Sequence, residues 1–263
     1  MPGIIFMRKY WGAEMTDFAR LMNDYFVKYL IGQKGSGNNT LKTYRDTFVQ
    51  LLEFMDEKKQ IQADRIEVDN FSYDIINEFL EYLEKEKGVS ISTRNNRLAA
   101  IRSFFKYTGY HEPKYLNISS SIREISKKKA ENRQMNYLSI NAMEHFLNSF
   151  DTTDYKELRC FCIVLLLYES GARVTELCNV HRYDLHLEKP FTLVLHGKGN
   201  KIRSVPLDGL VVDTISNYIQ KYEVHDDDFL FFNARRERLT REGVNYIVRK
   251  YFERARMDAV SMY

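Results

Sequence analysis

Apolar side chains return every third or fourth position along much of this chain, the spacing of one buried helix face. Leu41, Tyr44, Phe48, Leu51, Leu52 and Met55 follow the cap-like Asn38-Asn39-Thr40 and predict a helix. Ile76, Phe79, Leu80 and Leu83 predict another, stopping at Gly88. Ile91, Leu98, Ile101 and Phe105 predict a third, starting near Ser90 and ending by Gly109. With the apolar stretch 18–30 these make four helices, enough for a small bundle. The periodicity then stops. Residues 109–134, with the run Ser119-Ser120-Ser121, Pro113 and Lys127-Lys128-Lys129, read as an extended tether. Beyond it, Leu138-Ser139-Ile140 resembles a helix start, and 158–168 is apolar on every face, predicting a central buried helix. Residues 192–196 and 202–206 are short strand candidates around a tight turn, and Phe229-Leu230-Phe231 is a third strand or a buried segment. Val244, Ile247, Val248, Tyr251, Phe252 and Ala255 predict a final amphipathic helix.

Composition narrows the class. The 263 residues are 44% hydrophobic and 29% charged, which allows a packed core and excludes disorder. Only 12 Gly and 4 Pro favour helices over a turn-rich β architecture. The longest apolar run, 160–168, is too short to span a bilayer, and charges flank the Ile4-Ile5-Phe6 patch, unlike a secretory signal. Cys160, Cys162 and Cys178 make neither a disulfide framework nor a zinc site and suit reduced thiols, so a cytoplasmic protein without metal is expected. Gly32-Gln33-Lys34-Gly35-Ser36-Gly37 lacks the Lys-Ser/Thr ending and the preceding strand of a phosphate loop, and reads as a flexible connection.

The net charge of +3 decides little, but its distribution does more. Residues 90–134 hold ten basic side chains against three acidic ones, a local +7 that leaves −4 for the remainder. A basic middle in a slightly acidic chain suits a polyanion gripped there, although for a charge run alone a solvated polar linker is the better reading. Arg94, Arg97 and Arg102 on the predicted third helix could likewise face nucleic acid or water.

Two short segments carry candidate chemistry. At 171–177, Gly171 should end the buried helix and a short helix should begin near Arg173. An arginine in a first helical turn opposes the helix dipole unless an anion sits there, held jointly by guanidinium and free N–H groups. Glu176 falls on the same face and could hold Arg173. At 197–200, a lysine between two glycines at a turn apex could reach into a cleft and donate a proton. Taken singly, an ordinary Arg–Glu helix pair and a solvated turn lysine explain both.

Their order and spacing change the reading. Ser170-Gly171-Ala172-Arg173-Val174-Thr175-Glu176-Leu177, then His196-Gly197-Lys198-Gly199-Asn200-Lys201-Ile202-Arg203-Ser204-Val205-Pro206-Leu207, resembles the tyrosine recombinases, that is, the phage-type integrases and their transposon relatives. Ser92-Thr93-Arg94 through Arg102-Ser103-Phe104-Phe105 is similar to the end of that family's helical core-binding domain. The resemblance implies a mainly α fold with a small β-sheet: a tail over 1–16, a four-helix SAM-like core-binding domain over 17–110, a basic linker over 111–134, and a partial mixed α/β catalytic domain over 135–263. It also implies an enzyme that clamps double-stranded DNA, works as a tetramer, and uses neither metal nor ATP. A tyrosine attacks a backbone phosphate, forming a 3′-phosphotyrosyl bond and freeing a 5′-hydroxyl. Arg173 would then neutralise the phosphorus centre, Lys198 would protonate the departing oxygen, and Glu176 would support them. Lys42, Arg45, Arg94, Arg97, Arg102, Lys127, Lys128, Lys129, Lys201 and Arg203 would contact DNA.

The chain departs from that pattern at one point. The family's second catalytic group is His-x-x-Arg, followed by a further His or Trp and the tyrosine nucleophile. None of the six histidines here has Arg three residues later. Tyr246 and Tyr251 precede the place for that motif, and Tyr263 is the last residue. The expectation is therefore a recombinase fragment with no nucleophile of its own, derived from a site-specific integrase of a mobile element. The alternative is a non-catalytic DNA-binding protein of recombinase ancestry.

Overall fold

The computed structural model describes residues 15–130, 137–197, 199 and 201–261. The chain divides into two compact units, residues 1–134 and 135–263.

In the first unit, α1 (Asp17–Asp24) is capped by Thr16, whose hydroxyl accepts from Ala19 N. It runs on as a π-helical segment over Tyr25–Gln33. The long α2 (Asn38–Lys59), α3 (Tyr73–Lys85) and α4 (Ile91–His111) follow. The caps behave as the sequence predicts for α4, where Ser90 accepts from Thr93 N at 3.2 Å. For α2 the cap is Gly37, just before the polar cluster. Aromatic rings fill the core. Phe104 meets Phe18, Phe48 and Phe105 edge-on at centroid distances of 5.4, 5.3 and 5.2 Å, a favoured ring geometry.

The segment beyond α4 is not an extended tether. A 3₁₀ turn over Pro113–Tyr115 leads into α5 (Leu116–Glu124), which packs back on α4. Tyr115, Ile118, Ile122 and Ile125 carry a helical apolar stripe that the serines between them obscure, and Tyr115, Ile122 and Ile125 are buried. Gly109 is accordingly not a stop. A Cβ there would lie 2.6 Å from the Ser119 Cβ, so the glycine lets the two helices touch.

The second unit starts with α6 (Ile140–Asn148), capped by Ser139. Next come α7 (Tyr155–Ser170), buried along one side but not all round as expected, since Tyr168 is 53% exposed, and the four-residue α8 (Val174–Leu177). A three-stranded antiparallel sheet has the order β1 (Leu185–His186), β2 (Thr192–His196), β3 (Ile202–Pro206). The β2–β3 hairpin has the strand bounds expected from sequence, and Gly197 N donates to Lys201 O at 2.7 Å across its root. Phe229 makes only an isolated bridge with His181, and Leu230 and Phe231 are core residues, so the third strand is β1 instead. Helix α9 (Gly209–Tyr222) is a finding of the structure, and α10 (Arg241–Ser261) closes the unit. Its Arg254 takes both carboxylate oxygens of Glu157 on α7, at 2.6 and 2.8 Å. No helix among the described residues is long and apolar enough to cross a membrane.

The Gly109–Ser119 contact gives a direct test. Gly109→Ala should lower the stability of the unit by about 1–3 kcal/mol in chemical denaturation, the usual cost of overpacking. Adding Ser119→Gly should recover most of the loss, because it removes the atoms the new methyl would meet. Equal stability of the wild type and Gly109→Ala would exclude the close helix contact.

Candidate functional site

The local sequence builds the site in steps. Gly171 ends α7 in the left-handed region at φ 57°, donating its N–H to Leu167 O. Ser170 accepts from Ala172 N at 3.2 Å and directs the chain out of the helix. Arg173 then stands at the N-cap of α8 in extended backbone, while Leu177 is buried and anchors the short helix.

Glu176 is the centre of the arrangement. Although only 4% exposed, it accepts three charge-assisted or backbone hydrogen bonds. Arg173 donates from its backbone N (2.9 Å, to Oε2) and from Nη1 (2.8 Å, to Oε1). Arg203 of β3 donates from Nη2 to Oε2 at 2.7 Å. The hydrogen bond from Arg203, aided by those from Arg173, outweighs the desolvation of burial and holds the carboxyl at about 2, below its ordinary 4.5. The Arg173 side chain keeps 71% of its surface open. Its backbone N–H is taken by Glu176, so the free amide expected beside the guanidinium for an anion is already occupied.

The hairpin root lies against this carboxylate. A Cβ on Gly197 would sit 3.1 Å from Glu176 Oε1 and 3.3 Å from Lys201 O, so only glycine fits without displacement. One residue earlier, His196 Nε2 meets Asp184 Oδ1 at 3.2 Å, and buried Asp184 also accepts from His181 N at 2.9 Å. Sequence reasoning missed this second anchor, because Asp184 looks like any loop aspartate until β2 pairs beside it. Lys198 lies outside the described residues. Among the described residues no group of three or more His, Cys, Asp or Glu is placed to hold a metal ion.

The predicted DNA-contacting residues separate into distinct environments. Arg94 is drawn inside: 4% exposed, it donates to Ser126 O at 3.2 Å, and its Nε lies 3.2 Å from Glu84 Oε1 in an ion pair. It is withdrawn from water between α3 and the segment after α5. Arg97 bonds Thr43 O and Thr47 Oγ1 on α2 at 3.0 and 3.2 Å, and Arg102 bonds the Arg123 carbonyl at the end of α5. Both are half-buried and tie helices together. Lys42 is exposed, and Arg45 is half-buried beside Asp46. Lys127, Lys128 and Lys129 are exposed, with Lys128 2.9 Å from Glu84 and its backbone held twice by Asn95. Lys201 is exposed next to the hairpin turn.

The lowered pKa of Glu176 sets a pH dependence. Unfolded, the group titrates near 4.5, and folded near 2, so its stabilisation is complete above 4.5 and is lost as pH falls from there through 2. Thermal melts between these limits should show Glu176→Gln with a shallower acid loss than the wild type, and a lower melting temperature at neutral pH. Parallel acid profiles for the two proteins would remove Glu176 from the set of stabilising carboxylates.

Residues 136–261 match the model of the phage integrase family, and residues 24–109 match that of the phage integrase N-terminal SAM-like domain. A putative integrase/recombinase, y4rC, of Sinorhizobium fredii is 29% identical over 236 residues, 90% of this chain and 71% of that protein. The tyrosine recombinase XerC of Caldanaerobacter subterraneus is 27% identical over 249 residues, 89% of this chain and 69% of that one. In fold, the chain is similar to the XerH site-specific recombinase bound to difH substrate, with a TM-score of 0.62 over 95% of this chain and 78% of that one at 19% identity. It is likewise similar to a lambda integrase dimer bound to a core site, with a TM-score of 0.64 over 90% and 80% at 12% identity. With both halves matched, and Arg173 and Glu176 clasped beside the β2–β3 hairpin, the chain belongs to the phage integrase family of tyrosine recombinases.

Proposed function

We propose that this chain grips double-stranded DNA as a site-specific recombinase of a mobile element does, and presents one half of a strand-cleaving site. The observation that carries the reading is Arg173, held outward by a buried carboxylate that also meets the root of the Lys198 hairpin. On this reading Arg173 neutralises a backbone phosphate, Lys198 protonates the leaving 5′-oxygen, and Glu176 keeps Arg173 in place. Lys42, Arg45, Lys127, Lys128, Lys129 and Lys201 supply backbone contacts, with the exposed edges of Arg97 and Arg102 beside them. Arg94 is assigned to the fold instead.

The attacking group is missing from this reading. The residues three positions after the histidines are Lys114, Asn148, Asp184, Lys189, Gly199 and Asp228, so no His-x-x-Arg is present. Tyr251 is 4% exposed and stacks on Phe150 at a centroid distance of 4.5 Å. Burial, reinforced by Cys160, pushes its hydroxyl well above the ordinary tyrosine range, the opposite of an activated nucleophile. Tyr246 is exposed on α10, at 68% of its surface, rather than held in a cleft. The proposed outcome is binding without cutting by these 263 residues. Self-association on DNA belongs to the same proposal, supported by exposed Ile140 on α6 and Phe252 and Met257 on α10.

Two measurements test it. Affinity for a duplex carrying the cognate site should fall steeply with salt, by roughly 0.9 in log–log slope for each phosphate engaged. Replacing Lys127, Lys128 and Lys129 with Gln should flatten the slope by about two, Lys128 contributing least because Glu84 already holds it. An unchanged slope would take this segment out of the interface.

On a nicked suicide substrate, where a cleaving recombinase is trapped covalently, the chain should give no adduct in a denaturing gel. An adduct mapped to Tyr246, Tyr251 or Tyr263 would overturn the assignment of a missing nucleophile.

A further inference from the structure

Arg203 occupies an unusual position for a cation. In the β2–β3 register it stands opposite Leu195, and Val205 stands opposite Leu193. Directly paired residues share a face of an antiparallel ladder, so Arg203 lies on the side that carries the buried Leu193 and Leu195. Alternation alone would place an apolar side chain there. The arginine is accommodated because Glu176 meets it at 2.7 Å.

The way the carboxylate is shared matters. Glu176 receives Arg173 Nη1 on Oε1, and both Arg173 N and Arg203 Nη2 on Oε2. A guanidinium offers five N–H donors in a planar fork, and its preferred meeting with a free carboxylate uses two of them in parallel. With Oε2 filled by Arg203 and the Arg173 backbone N–H, the Arg173 guanidinium bonds through one nitrogen and leaves the rest of its fork on the exposed side. Without Arg203, Oε2 would keep only the Arg173 backbone N–H, and its other lone pair would be open to the same fork, which would close over Glu176 and withdraw from solvent. The Gly197 backbone sits on this clasp too, since its missing Cβ would fall 3.7 Å from Arg203 Nη1.

We infer that Arg203 is a positioning residue: by sharing Glu176 Oε2 with the Arg173 backbone N–H it keeps the Arg173 guanidinium on a single hydrogen bond and open to a phosphate, and it fixes the hairpin root to α8. This rests on the DNA-binding reading above and replaces a direct phosphate contact by Arg203 with an indirect action through Glu176.

The test uses the 263-residue chain, a short fluorescent duplex carrying the cognate site, and the variants Arg203→Met, Arg203→Lys, Arg173→Ala and Arg173→Ala/Arg203→Met, each checked for native circular dichroism. Arg203→Met should weaken binding about tenfold, on the scale of one charge-assisted hydrogen bond. Arg203→Lys should recover most of that, because an ammonium still fills the Glu176 oxygen. In the Arg173→Ala background, Arg203→Met should cause no further loss, the non-additivity expected of a residue that works through its neighbour. Losses that simply add would overturn the inference and return Arg203 to direct DNA contact. Carboxyl ¹³C NMR supplies a readout without DNA: Glu176 should titrate near 2 in the wild type and move toward 4.5 in Arg203→Met. An unmoved titration would also overturn the inference. Failure of the wild type to retain any duplex would sink the DNA-binding reading and the positioning role with it, and the titration would then report on the clasp alone.

Discussion

A buried carboxylate with two arginines on it is the interaction on which this site depends. Glu176 is buried, and the desolvation is a cost that only close cationic partners offset. One partner comes from α8 and the other from β3, so satisfying a single charge joins two elements that are far apart in sequence. The geometry of Arg173 follows from that sharing. A carboxylate facing only Arg173 would draw the guanidinium in, and a carboxylate facing neither arginine would be costly to bury. The fold stabilises the intermediate case, in which a cation is both anchored and exposed.

The same economy runs through the first unit, with the opposite result. Arg94, Arg97 and Arg102 lie on α4 at spacings that let each reach a different neighbour: the segment after α5, helix α2, and the end of α5. Their charges satisfy backbone carbonyls at places where helices meet. A high local count of cations is therefore a poor guide to how many remain for a polyanion. The exposed lysines at 127–129 sit on a segment whose backbone is pinned by Asn95 and whose middle ammonium is paired with Glu84. Charge presented from a fixed backbone loses less entropy on binding than charge on a free tether.

Corrections to the sequence reading share one cause. The stripe Tyr115, Ile118, Ile122, Ile125 was there to be read, but consecutive serines and Pro113 mimic a loop. The short helix forms because Gly109 leaves α4 a smooth patch against which Ser119 packs, a tertiary fact with no local signature. Helix α9 is also legible in Val211, Val212, Ile215, Tyr218 and Tyr222 behind the capping Asp208. β1, two residues long, is below what alternation can reveal, because two positions define no period.

By itself, the sequence determined the elements whose signals are local. Ser90 and Ser139 as caps, Gly171 as a helix end, the β2–β3 hairpin, and the order of the Arg173 and Lys198 segments are set by neighbours within a few residues. What only the tertiary structure decided is which charges are spent inside and which are left outside. Arg94 and Arg173 look alike in sequence, each an arginine close to the expected start of a helix. One is enclosed by helices and the segment it bonds, and the other is held at the surface by a carboxylate shared with a distant strand. The physical reason is that the energy of a charge depends on its solvation and on every partner within a few ångströms, and those partners are assembled by folding.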